Sequence, residues 1–440
     1  MLPKDFETMM RRQLGDDEAA RLIDALTNTS PVTSVRTNPT KKAPAFKGEP
    51  VAWCAEGMYL SERPQFTLDP LFHAGTYYVQ EASSMILSHI ISNYIGTSPV
   101  VALDMCAAPG GKSTLLQSAL PEGSLLIANE VVRQRSQILA ENIIKWGNPY
   151  SIVTSNYAED FVSLGEVFDL IVCDAPCSGE GMFRKDEGAV NDWSLDNVDT
   201  CWRRQRDIIA NVWQTLRTGG LFIYSTCTFN TLEDEDNVLW MQKELGAEVL
   251  PLCDNPEWNI RGGHFYPHLT RGEGFFVAVL RKTEDTDNHP RKQKDRGKAS
   301  KVQIPKEIKA WIHAPHLFDF TEEKGGYYAF PKAYSELLRN VRNTLHTIHY
   351  GIHLGEMKGK AIQPAHSLAM STSLDISSFP TVELTYEEAI AYLRTEAITV
   401  DAPKGYILLT FGGVPLGFGK NIGNRVNNLY PTEWRIRKNL

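Results

Sequence analysis

"VVALDMCAAPGGKSTLLQSAL", residues 100–120, changes character halfway along. The first half is a short apolar run ending at Asp104, the pattern of a strand buried on both faces. Two glycines follow, and then small polar and leucine residues at helical spacing. Strand, glycine loop and helix start make up the unit from which doubly wound α/β folds are built. Such folds bind ligands where loops leave the C-terminal ends of their strands. The chain downstream repeats the unit. "GSLLIANE" (123–130) is followed by "RSQILAENIIKW" (135–146), and "YSIVTSN" (150–156) leads on to "FDLIVCDAP" (168–176). The amphipathic "TCWRRQRDIIANVWQTLR" (200–217) precedes "GGLFIYSTCT" (219–228). "AEVLPL" (247–252) and "GFFVAVLRK" (274–282) close the series with no helix between them, which predicts an antiparallel pair at one sheet edge.

Three ligands compete for the glycine loop. A phosphate cradle needs GxxxxGK[ST]; Gly111-Lys112-Ser113 supplies its end, but Cys106 stands where the first glycine belongs. The dinucleotide pattern GxGxxG is absent. A nucleoside cofactor fits better, because Glu130 ends the next strand, where a carboxylate can accept hydrogen bonds from both ribose hydroxyls.

The remaining sequence bounds the setting. The chain has 440 residues, 42% of them hydrophobic and 22% charged, which predicts two or three globular domains. No apolar run approaches a membrane span and no signal peptide opens the chain. Seven cysteines, irregularly spaced, form neither a disulfide framework nor a zinc pattern, so a reducing, cytoplasmic setting and no metal are expected. Net charge is −8, but residues 291–440 hold 21 Lys+Arg against 14 Asp+Glu. A basic C-terminal part on an acidic body fits an RNA or DNA partner as well as it fits ordinary solvated charge. "EDTDNHPRKQKDRGKASK" (284–301) has almost no apolar side chain and reads as a linker. The expected domains are therefore 1–98, 99–283 and 303–440, joined by a linker at 284–302.

Two cysteines stand apart. Cys177 in "DAPCSGEGMFRKD" (174–186) and Cys227 in "YSTCTFNTLEDEDNV" (224–238) each follow the end of an apolar run. With "DMCAAPGGKST" (104–114), these stretches resemble, in order and spacing, the Nol/Nop/Sun-type RNA cytosine-C5 methyltransferases. "TSVRTNP" (33–39), "GTYYVQEASSM" (75–85) and "FYPHLTRGEGFFVAVLRK" (265–282) extend the resemblance over roughly residues 30–282. The end, "GGVPLGFGKNIGNRVNNLYPTEWRIRK" (412–438), resembles the PUA-like extension of the bacterial branch acting on small-subunit ribosomal RNA.

The resemblance implies a Rossmann-like class I methyltransferase core, a doubly wound and mostly parallel sheet with an antiparallel edge. An N-terminal α+β RNA-binding domain and a C-terminal PUA-like extension would flank it. The cofactor would be S-adenosyl-L-methionine, held by Cys106, Ala107, Ala108, Pro109, Gly110, Gly111 and Lys112, with Glu130, Arg135, Asn156 and Asp174. Asn156 departs from the family's usual Asp, which bears on the adenine contact. C5 of cytosine is too electron-poor to take a methyl directly, so a thiolate adds at C6 first. In DNA cytosine methyltransferases the nucleophile follows a proline, as Cys177 follows Pro176. The RNA family's pattern instead places the nucleophile on Cys227 and release of the adduct on Cys177, with Asp174 near the base. The target base must leave its stack.

Expected RNA contacts are Arg36, Lys41, Lys42, Arg184 and Lys185. A C-terminal group joins them: Lys420, Arg425, Arg435, Arg437 and Lys438, with Tyr430 and Trp434 for stacking. The substrate is expected to be 16S ribosomal RNA or the small ribosomal subunit, with transfer RNA as the alternative, and the enzyme a monomer. A non-catalytic ribosome-assembly factor on the same fold is the competing reading.

Overall fold

The structure is a computed structural model that describes residues 1–252, 255–284 and 304–437. The expected linker falls almost wholly outside the described residues, as do Cys253 and Lys438.

The central sheet is built as the sequence pattern implies. Its strands are β1 (Val101–Asp104), β2 (Leu125–Asn129), β3 (Ser151–Thr154), β4 (Phe168–Asp174) and β5 (Leu216–Thr226). Helices α1 (Gly111–Ala119), α2 (Arg133–Trp146) and α3 (Leu195–Trp213) connect them in part. The parallel run has the order β5-β4-β1-β2-β3, which reverses direction between β1 and β4. β6 (Ala247–Leu250) and β7 (Phe275–Lys282) extend it, β7 antiparallel to β5 and β6 antiparallel to β7. This is the expected antiparallel edge.

Both faces of the sheet are apolar because both are covered. Ala102, Leu126, Ala128, Leu170, Val172 and Ile223 pack on one side with Leu115, Leu116, Leu139 and Ile143 of α1 and α2. Leu103, Leu125, Ile127, Ile171 and Phe222 pack on the other with Ile209, Val212 and Trp213 of α3. Adjacent strand residues thus serve opposite faces, as the two-residue strand period requires.

Residues 1–98 form four α-helices (Lys4–Leu14, Asp16–Asn28, Pro70–His73 and Ile86–Tyr94) and a four-stranded antiparallel sheet, an α+β unit as expected. The C-terminal part holds two further four-stranded sheets. It is not simply appended to the core. Its strand β8 (Thr347–Tyr350) pairs antiparallel with β3 and becomes the outer strand of the central sheet. Phe330, Leu338, Val341, Leu345 and Tyr350 join the core of the α3 face. Among the described residues, no helix is long and apolar enough to cross a membrane.

Candidate functional site

The direction reversal between β1 and β4 opens a crevice at their C-terminal ends, and the glycine loop lies there. Gly110 takes φ +117°, a conformation side chains disfavour, and caps α1. The loop is fixed from outside: Ala107 N donates to Asn129 O (2.8 Å), Arg135 Nη2 to Ala108 O (2.8 Å) and Asn142 Nδ2 to Pro109 O (2.8 Å). Asp104 is fully buried and accepts from Ser113 Oγ at 2.6 Å, while its Oδ1 has no partner. Burial pushes its carboxyl up to about 7. The thiol of Cys106 is pushed well up, first by its hydrogen bond with Cys173 and then by burial.

Glu130 ends β2 as expected and is nearly shielded. Its Oε1 accepts from Val132 N (2.9 Å) and its Oε2 lies 3.4 Å from Arg135 Nη1. Arg135 therefore ties the acid to the glycine loop. Asn156 is held by the C-terminal part: its Nδ2 donates to His346 O (3.1 Å) and its Oδ1 accepts from His346 N (2.9 Å). The pairing also accounts for the departure from Asp, since an ionised carboxylate could not donate to the His346 carbonyl.

Asp174, at the end of β4, accepts from Ser225 Oγ (2.8 Å) and pairs with Lys112 Nζ (2.7 Å), which lies 5.1 Å from the Phe275 ring centroid. Lys112 thus faces a carboxylate rather than waiting for an anion. The two expected cysteines meet: Cys177 Sγ and Cys227 Sγ are 3.0 Å apart, and Cys227 N donates to Cys177 Sγ at 3.3 Å. Both are free and partly accessible. The Cys177 thiol is pushed well above its ordinary range, first by the hydrogen bond to Cys227 and then by burial. Cys54 and Cys173 are buried core residues.

Several expected RNA contacts are interior. Arg36 is 1% exposed; its Nε donates to Gln80 Oε1 (2.8 Å) and its Nη2 to Thr114 Oγ1 (2.7 Å). Lys41 Nζ donates to Ala74 O (2.9 Å) and Lys145 O (2.6 Å). Arg184 pairs with Glu273 at 2.8 Å and bonds Gly272 O; Lys185, by contrast, is exposed, with its Nζ 3.5 Å from the same glutamate. Tyr430 is buried, and Trp434 packs against His366, so neither ring is a free stacking platform. Lys42, Lys420, Arg425, Arg435 and Arg437 are exposed, as phosphate contacts need to be.

Sequence reasoning missed the acids and amides behind the cysteines: Glu180, Glu233, Gln205 and Asn230, all buried. Glu180 sits between glycines in "SGEG", which reads as a solvated turn. Only its spacing from Cys177 hinted otherwise. A group outside the expected histidine and cysteine patterns also emerges: Asp234, Glu235 and His264 bring one potential ligand atom each within 4.8 Å. His264 Nε2 is 2.8 Å from Glu235 Oε1.

Strand order, glycine loop and the acid at the end of β2 define a Rossmann-like methyltransferase. Solved structures agree on the fold. A methyltransferase homolog protein from Pyrococcus horikoshii is 25% identical (TM-score 0.55), covering 64% of this chain and 95% of its own. NSun6 from Pyrococcus horikoshii, crystallised with SFG, is 21% identical (TM-score 0.56), covering 64% and 99%.

Residues 98–281 match the model of the 16S rRNA methyltransferase RsmB/F family. Residues 2–82 match the N-terminal domain of 16S rRNA methyltransferase RsmF, and 379–436 the methyltransferase RsmF PUA domain. The ribosomal RNA small subunit methyltransferase F of Aliivibrio fischeri (strain MJ11) is 34% identical over 412 residues, 88% of this chain and 85% of that one. Its namesake from Shigella boydii is 32% identical over 415 residues, 87% and 84%. The chain belongs to this RsmB/F family of S-adenosylmethionine-dependent RNA methyltransferases.

Proposed function

We propose that this protein methylates C5 of a cytidine in 16S ribosomal RNA, with Cys227 as nucleophile and Cys177 releasing the adduct. The observation that carries the reading is the meeting of two free thiols at 3.0 Å beside Asp174 and Lys112, at the crevice edge of the sheet. The relatives named for the small-subunit RNA support the choice of substrate over transfer RNA. A non-catalytic assembly factor would have no use for paired thiols there.

The residues present fit S-adenosylmethionine. Glu130 offers acceptors for ribose hydroxyls, the start of α1 offers main-chain N–H groups, and Asp104 keeps a buried oxygen without a partner. When bound, the cofactor supplies the electrophilic methyl group. The chain's residues do the rest. Cys227 as thiolate adds to C6 and moves electron density onto C5. With Cys227 bonded to C6, Cys177 is the remaining thiol beside the base, and it gives up its proton to solvent. Cys177 then takes the proton from methylated C5, the C5–C6 double bond re-forms and Cys227 leaves as thiolate. Asp174, held between Lys112 and Ser225, is placed to hydrogen-bond the base rather than to take this proton.

No step of this scheme needs a metal. The β3 side of the sheet is closed by the chain's own β8, which suits a monomer, and a ribosomal RNA substrate suits the cytoplasm. Bisulfite sequencing of RNA from a strain lacking the gene tests the reading. One or more 16S cytidines should lose protection and regain it on complementation. Loss confined to transfer RNA would overturn the substrate assignment.

A further inference from the structure

Two buried carboxylates lie behind the cysteines, and the scheme above does not use them. Glu180 comes three residues after Cys177, and Glu233 six after Cys227; both are 0% exposed. Each reaches across to the other cysteine's loop. Glu233 accepts from Ser178 N, the residue after Cys177, at 3.0 Å (Oε2) and 3.3 Å (Oε1). Glu180 Oε2 accepts from Phe229 N (2.7 Å) and Asn230 N (3.1 Å), just past Cys227. The Asn230 amide spans both acids, with Nδ2 3.0 Å from Glu180 Oε1 and 2.9 Å from Glu233 Oε1. Gln205 Nε2 anchors the arrangement to α3, donating to Glu233 Oε2 (2.6 Å) and Pro176 O (3.1 Å). Trp193 Nε1 donates to Glu180 Oε1 (3.1 Å). The loops are in close contact as well. Gly181 N donates to Cys227 O (2.9 Å), and a Cβ on Gly181 would come within 2.8 Å of Gly274 O.

We propose that Glu180 and Glu233 are reciprocal positioning residues, each gripping the loop of the opposite cysteine so that the two thiols serve one base in turn. The proposal rests on the two-cysteine reading above and adds residues to it. Burying two carboxylates side by side is costly unless their oxygens are filled by donors. Here donors meet every oxygen of both. That makes glutamine a poor substitute. Whichever way the amide of a Glu233→Gln variant turns, its NH2 faces a donor, Asn230 and Ser178 on one side or Gln205 and Ser178 on the other. Neither acid touches the crevice residues expected to hold the cofactor, so loosening the grip should separate turnover from binding.

The test reads the thiol pair directly, in the full-length protein without RNA or cofactor. On treatment with a diazene oxidant such as diamide, Cys177 and Cys227 give up two protons and two electrons to the N=N bond and become a disulfide. Mass spectrometry of the linked peptides follows its formation. Glu233→Gln and Glu180→Gln should slow it at least tenfold. In methylation assays they should lower kcat at least tenfold with the KM for RNA unchanged. Asn230→Ala, a smaller lesion, should slow disulfide formation less and serves if the glutamine variants fail to fold. Wild-type disulfide rates in the folded variants, Asn230→Ala included, would overturn the proposal. Because this readout needs no methyl transfer, it can succeed even if the roles of the two cysteines prove reversed.

Discussion

Buried charge is anionic behind the cysteines and cationic where the three parts of the chain meet. The difference follows from which backbone groups are left open. Loops leaving strand ends carry free N–H groups, and Glu180 and Glu233 accept them. Helix C-termini carry free carbonyls, and cations and amides cap them. Lys41 bonds Lys145 O in the last turn of α2 and Ala74 O after the helix Pro70–His73, and Asn38 Nδ2 takes Trp146 O (3.0 Å). The C-terminal part seals the junction, with Thr372 N donating to Gly147 O (2.9 Å) and the half-buried His366 packed against Tyr430 and Trp434. One cluster shapes the chemistry and the other joins the parts.

The comparison breaks most visibly at Arg36. Arg36→Met leaves Gln80 and Thr114 short of a charged donor. Losing these two charge-assisted bonds, and a longer third to Gly111 O (3.3 Å), should cost roughly 3 kcal/mol in urea unfolding. A smaller effect separates cofactor from junction. Glu130→Ala should weaken S-adenosylmethionine binding about tenfold, or ~1.4 kcal/mol by calorimetry, without moving the unfolding midpoint of the junction.

pH sharpens the contrast, because the two clusters titrate with opposite sign. Burial lowers His366 to about 3 and His73 to about 4, so both are neutral in the fold and protonate first in the unfolded chain. Their contribution is present above about 6.5 and is lost as pH falls toward 4. Glu233 and Asp104, raised to about 7, bind protons first in the fold, so between about 7 and 4.5 they favour it increasingly as pH falls. Unfolding of His366→Phe should accordingly fall off less steeply below pH 6.5 than that of wild type. The smallest effect belongs to the surface. Lys420→Ala or Arg425→Ala should reduce the salt slope of RNA binding by less than one unit each, and Arg36→Met by nothing.

The sheet, its antiparallel edge and its crevice were legible in the sequence because strand and helix periods alternate cleanly from Val101 to Lys282. The cysteines and the glycine loop were legible because their motifs are long. Which charges face solvent was not, because a capping Lys41 and an exposed Lys42 are neighbours of one residue type. β8 was not legible either: "TIHY" (347–350) is too short and too polar to announce a strand of the central sheet, and its place is fixed by pairing with β3 and by the Asn156–His346 bonds. Glu180 and Glu233 were missed because acids among glycines and polar residues read as surface until the fold buries them.

The account's central claim is the division of labour between two thiols 3.0 Å apart. Each single alanine variant is mixed with substrate RNA and S-adenosylmethionine and run on a denaturing gel. Cys227→Ala should give no methylation and no adduct, since addition at C6 cannot begin. Cys177→Ala should accumulate an RNA–protein band that survives denaturation, since the methylated adduct cannot resolve. A stable band with Cys227→Ala and none with Cys177→Ala would contradict the account and move the nucleophile to the cysteine that follows Pro176.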